Sequence, residues 1–213
     1  MIVESNLEKE QFLEYWNNEE SIVIPIWEDL ERHPMTCDVS FLYVRFQNLD
    51  FVLPFNHNDC EPIEIDLSES KQTKWIWNKK ALLQTDLKIQ NQKDIQTSLF
   101  FNENKLYPFG EKLEALTNFY HRLGMRDGLG KSIPIMKFME VLGDISNDFG
   151  NLRPTFGWID DTMIPILSDI ERFGIRVDRE KFFDKWKDNK KSLWFSRAFT
   201  EYNPYTITSR PSN

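Results

Sequence analysis

The sequence has few of the residues that mark metal-stapled, fibrous or membrane proteins. Its two cysteines, Cys37 and Cys60, have no CxxC partner or clustered histidine, so neither a zinc site nor a disulfide framework is indicated. With 8 glycines and 10 prolines, the chain is neither collagen-like nor of low complexity. No apolar run approaches the ~18 residues of a membrane span, and the first residues lack the basic and apolar regions of a signal peptide. We therefore expect a soluble, cytoplasmic protein that does not contact a membrane.

Aromatic residues are abundant by contrast. They make up 14% of the 213 residues, with 17 Phe, 7 Trp and 6 Tyr, and hydrophobic residues make up 40%. So many large apolar side chains require a folded interior. The length predicts one domain, or one domain with a short appendage, and excludes a large multidomain protein.

Charge is distributed unevenly along the chain. The net charge is −8, yet residues 171–213 contain ten basic and six acidic residues, a balance of +4, which leaves −12 for residues 1–170. An acidic body repels a polyanion, so any contact with nucleic acid is expected in the C-terminal arm. The alternative is that the arm's lysines simply form the solvated face of a helix.

The first third of the chain has the periodicities of one helix and three strands. Apolar residues recur at helical spacing within residues 6–16, which predicts a short amphipathic helix. Residues 21–27 form a β-branched run of strand length. Residues 39–46 and 49–55 are two further apolar runs, joined by a tight turn at residues 47–48. These runs predict a sheet.

The middle of the chain is harder to interpret. Residues 63–70 resemble a fourth extended segment, and a helix is predicted to begin near Thr73 after a polar loop. Residues 88–101 are compatible with a strand or a helix on either side of Asp94. Both alternatives stay open here.

Helical spacing dominates the remainder. Apolar residues predict helices over 111–123, 133–149 and 156–173, and each is followed by a glycine suited to a helix stop. Pro165 should kink the last of these helices or mark a restart. A further helix is predicted over 179–199, with the preceding aspartate as its N-cap. The glycine-rich stretch RDGLGKS between the first two lacks the spacing of a phosphate-binding loop.

Two C-terminal motifs resemble the family A DNA polymerases. Residues 171–178, Glu-Arg-Phe-Gly-Ile-Arg-Val-Asp, follow an amphipathic helix, as in the segment that joins the exonuclease-type and polymerase domains of that family. Residues 206–212, Thr-Ile-Thr-Ser-Arg-Pro-Ser, resemble the Thr-Gly-Arg-Leu-Ser motif that opens the polymerase core, although Ser209 and Pro211 replace its Gly and Leu. The resemblance implies a DNA polymerase I-type protein of phage type.

The N-terminal body fits the same resemblance. The family's 3′–5′ exonuclease domain is an RNase H-like α/β fold whose first strand carries Asp-x-Glu, matched here by Asp29-Leu30-Glu31. Pro54 and His57 match the Pro-x-x-His of its third strand. The resemblance makes Asp29 and Glu31 the first pair of metal-binding carboxylates, for Mg²⁺, whereas His57 is better explained as a structural histidine.

The rest of the metal site departs from the family. The position of the family's second-motif aspartate corresponds to the region of Asn78, which is a neutral amide. Asp86 or Asp94 lies further downstream. The third motif, Tyr-x-x-x-Asp, should fall within residues 130–142, where Glu140 is the only acid. Because two-metal hydrolysis needs several converging carboxylates, we expect an exonuclease-like domain that is inactive.

The fold class expected is therefore α/β, with an RNase H-like mixed sheet flanked by helices and followed by a helical connection and a reduced thumb. The expected boundaries are 1–155 for the degenerate exonuclease-like domain and 156–213 for the connection, the thumb and the start of the polymerase domain. The sequence given ends before the palm and fingers motifs, so no polymerase chemistry is expected from these residues alone.

The functional expectation is the N-terminal portion of a template-directed DNA polymerase, in the host cytoplasm if phage-encoded. No cofactor is expected for this chain alone, and Mg²⁺ enters only with residual nuclease activity or the complete polymerase. The expected partners are a DNA primer-template and a second chain carrying palm and fingers. Two alternatives stay open: an active nuclease built from Asp29, Glu31, Asp86 or Asp94 and Glu140, or a non-enzymatic DNA- or replisome-binding module. The expected DNA contacts are Lys187, Lys190, Lys191, Arg197, Thr208 and Arg210.

Overall fold

A computed structural model of the protein describes most of the chain. The described residues are 1–30, 36–47, 49–104, 106–150, 152–154, 157, 159–176, 193–194 and 197–198. They form an α/β structure with a five-stranded mixed sheet flanked by helices, as the sequence predicts.

The sheet has the strand order β3-β2-β1-β4-β5. Strand β1 pairs antiparallel with β2 and parallel with β4, β2 pairs antiparallel with β3, and β4 pairs parallel with β5. All strands except β2 therefore run in the same direction. The bounds are β1 Ser21–Trp27, β2 Val39–Arg45, β3 Asp50–Pro54, β4 Lys74–Ile76 and β5 Gln92–Asp94. The three strands predicted first are confirmed.

Seven α-helices surround the sheet within the described part of the chain. Their bounds are α1 Asn6–Asn18, α2 Lys79–Leu82, α3 Ile95–Glu103, α4 Phe109–Arg122, α5 Leu129–Ser132, α6 Ile135–Asp148 and α7 Ile164–Phe173. None of these helices combines the length and the hydrophobicity needed to cross a membrane. The predicted helices over 6–16, 111–123 and 133–149 are confirmed as α1, α4 and α6.

The strands of the antiparallel half bury both of their faces. Phe41 and Tyr43 of β2 point into a core formed with α3, α4 and α6, whereas Leu42 and Val44 point into a second core formed with α1 and α2. Successive side chains of a strand lie on opposite faces, so this uninterrupted apolar run supplies both cores. Phe138 of α6 packs edge-on against Phe41, with ring centroids 5.3 Å apart.

The prediction for residues 63–76 is wrong in two respects. Residues 61–73 contain no strand, and residues 74–76, where a helix was expected from Thr73, form β4. Pairing with β1 on one side and β5 on the other imposes the extended conformation on this short segment. Asp94 is the boundary between β5 and α3, which decides the alternatives left open around that residue.

Both edges of the sheet are covered. On β3, the outward carbonyl of Asp50 accepts a hydrogen bond from the Met1 amino group, and that of Val52 accepts one from the Val3 N–H. The Val52 N–H donates to the Met1 carbonyl, and the Pro54 carbonyl accepts from the Ile63 N–H. On β5, the Asp94 N–H donates to Asp160 and the Gln92 carbonyl accepts from Lys79. Exposed edges promote pairing between chains, and these contacts occupy them.

A π-helical turn, Ile159–Met163, precedes α7. Pro165 lies in the first turn of α7, where its missing N–H costs no hydrogen bond, so it marks a restart as predicted. Gly174 ends the helix with φ 65°. A small sheet follows, in the order β6-β8-β7, with bounds Ile175–Arg176, Leu193–Trp194 and Arg197–Ala198. The helix predicted over 179–199 is wrong at the last two strands, and the rest of that range lies outside the described residues.

Candidate functional site at the carboxyl end of the first strand

The carboxyl end of β1, where Asp29 and Glu31 were expected to act, is covered by α5. Gly130 of α5 lies directly against the Trp27 main chain: a Cβ at position 130 would stand 1.8 Å from the Trp27 carbonyl oxygen. Only glycine permits so close an approach, because any other side chain would force the two segments apart. The glycine-rich stretch RDGLGKS is therefore a packing device at this site.

The first acidic side chain after β1 already has partners. Glu28 lies 3.5 Å from Lys131 Nζ, measured from its Oε1, and the same oxygen accepts a hydrogen bond from Asn56 Nδ2. The Glu28 N–H donates to the Asp38 carbonyl oxygen at 2.9 Å. The Glu28 carboxylate is therefore paired with the Lys131 ammonium and hydrogen-bonded to the Asn56 amide, beside the position where the resemblance places Mg²⁺.

Asp29 follows Glu28 and is half-buried. Its carbonyl oxygen lies 3.8 Å from Cys37 Sγ, which donates to it. Glu31 lies outside the described residues, so its position relative to Asp29 stays a prediction. Within the described part of the chain, no three His, Cys, Asp or Glu side chains come together as a metal site.

Asp94 acts as a helix cap. It is fully buried, and its carboxylate oxygens accept hydrogen bonds from the N–H groups of Lys79 (2.9 Å) and Thr97 (2.7 Å) and from the Thr97 hydroxyl (2.9 Å). The sheet register places Asp94 level with Val23, two strands away from β1. Trp27 lies four residues further along β1, so the Cα atoms of Asp94 and Trp27 are about 16 Å apart from strand rise and spacing. Asp94 is therefore far from the carboxyl end of β1.

The three remaining candidate positions have different surroundings. Asn78 is the N-cap of α2, in the left-handed conformation, and accepts a hydrogen bond from Ala81 N–H. Asp86 is exposed and lines an open cavity of about 670 Å³ together with Cys37, Asp38 and Asn56. Those three residues contact Asp29 or Glu28, so this cavity borders the carboxyl end of β1. Glu140 lies on the outer face of α6, 66% exposed, and pairs with Lys137 three residues earlier. The structure does not bring Asp94 and Glu140 to the carboxyl end of β1.

His57 joins the loop after β3 to the segment between α5 and α6. The Asp59 N–H donates to His57 Nδ1 at 3.1 Å, which requires Nδ1 to be unprotonated, so Nε2 carries the proton and donates to the Ile133 carbonyl at 3.0 Å. Burial lowers the pKa of His57 below its usual 6.5, which favours this neutral tautomer. These contacts give His57 the structural role expected for it.

The expected DNA contacts cannot be located as side chains. Lys187, Lys190, Lys191, Thr208 and Arg210 lie outside the described residues. Arg197 lies in β8, of which only the backbone path is described. The DNA-binding assignments therefore stay predictions.

Two buried ion pairs that the sequence did not reveal connect α2 to the segment before and within α7. Lys80 Nζ donates to Glu171 Oε1 at 2.7 Å, and Gln84 Nε2 donates to Glu171 Oε2 at 2.7 Å. Lys79 Nζ lies 3.9 Å from Asp160 Oδ1, and it also donates to the Asp160 main-chain carbonyl oxygen at 2.7 Å. Glu171 opens the Glu-Arg-x-Gly motif, and this position anchors α7 on the body. Spacing alone could not identify the partners, because they lie far away in the sequence.

The chain was also compared with known proteins. Neither the models of known protein families nor the curated proteins give a match to this sequence.

Proposed function

We propose that this chain is the N-terminal portion of a phage-type family A DNA polymerase, and that its α/β body is an RNase H-like exonuclease domain used as a scaffold. The observation that carries the proposal is the sheet: five strands in the order β3-β2-β1-β4-β5, with β2 alone reversed. That order is compatible with an RNase H-like fold. It puts the Asp29-containing loop at the carboxyl end of the central strand, where open α/β sheets bind their ligands.

The polar contacts at that end favour a scaffold over a hydrolase. Two-metal hydrolysis of a phosphodiester requires several carboxylates free to ligate ions ~3.5–4 Å apart. Here Glu28 is paired with Lys131 and Asn56, and Asp94 caps a helix elsewhere in the sheet. These residues do not fit a two-metal centre, and the proposal assigns no Mg²⁺ to this chain alone.

In this proposal, the link from body to polymerase domain runs through α7. The buried Lys80–Glu171 pair fixes the helix on α2, and the basic residues from 172 onward continue from its end. The proposal places the contacts with a primer-template and with a palm-bearing second chain in these basic residues. Arg210 is the residue proposed to contact the primer-template.

The scaffold role is tested by nuclease assay. Full-length chain is incubated with 3′-recessed and single-stranded DNA labelled at the 5′ end, in Mg²⁺ and in Mn²⁺. We expect no 3′ shortening. Metal-dependent shortening that Asp29→Ala abolishes and Asp66→Ala, an exposed loop control, leaves intact would refute the scaffold role and favour the nuclease alternative.

The polymerase assignment needs a separate test. Full-length chain is mixed with a palm- and fingers-bearing polypeptide encoded beside it, and template-directed primer extension is measured. We expect extension only in the mixture, with a loss of at least tenfold in Arg210→Ala and no loss in Arg122→Ala. A genuine stop after codon 213, with no such polypeptide nearby, would overturn the assignment.

DNA binding by the arm is tested in the full chain by charge reversal. The triple variant Lys187→Glu/Lys190→Glu/Lys191→Glu should abolish binding to duplex DNA, because it replaces three cations with acids that repel phosphate. In the unchanged chain, each phosphate contact should contribute about −0.9 to the slope of log K against log salt. Glutamates at three body lysines, Lys9, Lys88 and Lys112, are the matched control. Equal losses in both variants would show a general charge effect and no specific role for the arm.

A further inference from the structure

A cavity of about 610 Å³ lies beside the edge strand β5, between α2 and the π-helical turn. Three lysines line it, Lys71, Lys79 and Lys93, and its apolar wall includes Leu83, Ile89 and Pro165. The volume is within the range of pockets that hold small organic ligands. The clustering of lysines contrasts with the acidic composition of residues 1–170.

The three lysines differ in how firmly they are paired. Lys79 is 5% exposed and held by the carbonyl oxygens of Asp160 and Gln92, with Asp160 as its buried counter-ion. Lys93 pairs at 2.9 Å with Asp161, whose side chain is 60% exposed. Lys71 makes no ion pair with another described residue. Exposed pairs are weak and exchangeable, so Lys71 and Lys93 are available to an anion.

The backbone beside the cavity has two uncommon conformations. The π-helical turn and the left-handed Asn91, with φ 51°, are both uncommon backbone conformations, and such conformations concentrate at functional sites.

We propose that this cavity binds a phosphate monoester attached to an apolar or aromatic group, such as a nucleoside monophosphate. Lys71 and Lys93 hold the phosphate, and the buried pair of Lys79 and Asp160 forms the inner wall behind them. The wall of Leu83, Ile89 and Pro165 contacts the apolar group. The phosphate forms charge-assisted hydrogen bonds with the ammonium groups of Lys71 and Lys93.

Asp161 competes with the ligand in this arrangement. Its carboxylate occupies Lys93 in the unliganded chain, with both carboxylate oxygens within 3.2 Å of Lys93 Nζ. A phosphate must displace it. The site is separate from the carboxyl end of β1, so the test of ligand binding here is independent of the tests of the proposed function.

The test is calorimetric titration of the full chain with AMP, inorganic phosphate and adenosine in low salt. We expect AMP to bind more tightly than either of the other two, because only AMP offers both phosphate and base. The double variant Lys71→Ser/Lys93→Ser should bind AMP at least tenfold more weakly. Its control, Lys112→Ser/Lys137→Ser, removes two exposed lysines of α4 and α6 and should change the affinity less than twofold.

A second variant pair tests the competition by Asp161. Asp161→Asn should tighten AMP binding about threefold, whereas Glu140→Gln, which frees Lys137 in the same way, should have no effect. Adenosine or inorganic phosphate binding as tightly as AMP would overturn the proposal, and so would AMP binding that survives loss of Lys71 and Lys93. An oligonucleotide that binds more tightly than AMP, with the same lysine dependence, would assign the lysines to nucleic acid instead and would also overturn it.

Discussion

The two halves of the sheet are stabilised in different ways. In the antiparallel half, β1, β2 and β3 have five to seven residues each and bury apolar side chains on both faces. In the parallel half, β4 and β5 have three residues each and contain the buried polar residues Lys74 and Asp94. The first half is held by hydrophobic burial. The second combines the buried side chains of Trp75 and Ile76 with hydrogen bonds and ion pairs to groups distant in the sequence.

Lys74 illustrates the second kind of stabilisation. It is fully buried, and its ammonium donates to the carbonyl oxygens of Trp16 (2.6 Å) and Glu19 (2.8 Å) at the C-terminal end of α1. It also lies 4.2 Å from the centroid of the Trp16 ring. A cation suits this end of a helix, where carbonyl groups lack intrahelical partners. The parallel half thus joins α1 to the sheet through the hydrogen bonds of a buried lysine.

The largest effect is expected from the apolar half. Phe41→Ala removes a fully buried ring from the core shared with Phe138 and should lower the free energy of unfolding by about 4 kcal/mol. The measurement is urea unfolding followed by circular dichroism. Phe119→Ala, at a ring that is 56% exposed, is the control and should cost well under 1 kcal/mol. Similar losses in both variants would contradict the assignment of Phe41 to the core.

The buried ion pair comes next. Glu171→Leu leaves Lys80 buried without its counter-ion and should cost about 3 kcal/mol in the same unfolding assay. Adding Lys80→Met to that variant should recover most of the loss, because no uncompensated charge remains. In the exposed pair of Lys137 and Glu140, Glu140→Leu should cost less than 1 kcal/mol. A double variant no more stable than Glu171→Leu would contradict the pairing.

Lys74 should make stability depend on alkaline pH. Burial lowers the pKa of Lys74 from its ordinary 10.5 to about 8. Between pH 8 and 10 the folded chain has lost this proton and the unfolded chain has kept it, so stability rises with pH over that interval. Below pH 8 both states are protonated and the dependence ends. Wild type should gain about 2 kcal/mol relative to Lys74→Met between pH 8 and 10.

The same experiment has two safeguards. Tyr43 has its pKa raised to about 12 by burial, so its effect has the opposite sign and begins as the pH passes 10. Measurements therefore stop at pH 10. Lys88→Met, at an exposed position, is the control and should retain the pH dependence of wild type. Parallel curves for wild type and Lys74→Met would contradict the predicted titration.

The smallest effect is expected at the exposed N-terminal end of α1, which packs against the antiparallel half of the sheet. The Ser5 side chain accepts a hydrogen bond from the Glu8 N–H, and the Glu8 carboxylate accepts one from the Ser5 N–H. This reciprocal pair forms a capping box at the start of α1. Ser5→Ala should cost about 1 kcal/mol, and Ser68→Ala in a loop should cost less. Thermal unfolding by calorimetry resolves the difference. A larger loss in Ser68→Ala would contradict the role of the cap.

The division between the two halves also explains what the sequence could predict. The strands of the antiparallel half are long and apolar, so their periodicity identifies β1 to β3 directly. Lys-Trp-Ile and Gln-Lys-Asp carry no such pattern, and β4 was mistaken for the start of a helix. Its extended conformation comes from parallel pairing on both sides, a tertiary effect that no local window contains.

The candidate site divides in the same way. The sequence predicted Asp29 and Glu31 as a pair of carboxylates directly after β1; Asp29 lies there, and Glu31 lies outside the described residues. It could not predict that Lys131 would pair with Glu28, because the contact depends on how α5 lies over the strand end. The two glycines of RDGLGKS were the available signal, and a close approach of two backbones at Gly130 is what they permit.

The covered edges of the sheet limit how the protein can meet other chains. A peptide that adds itself as an extra strand needs a row of free N–H and C=O groups. On β3 those groups are bonded to residues 1–3 and Ile63, and on β5 they are bonded to Asp160 and Lys79. A strand that adds to either edge of this five-stranded sheet must therefore displace these contacts, and a tag that displaces Met1 from Asp50 would expose part of the β3 edge.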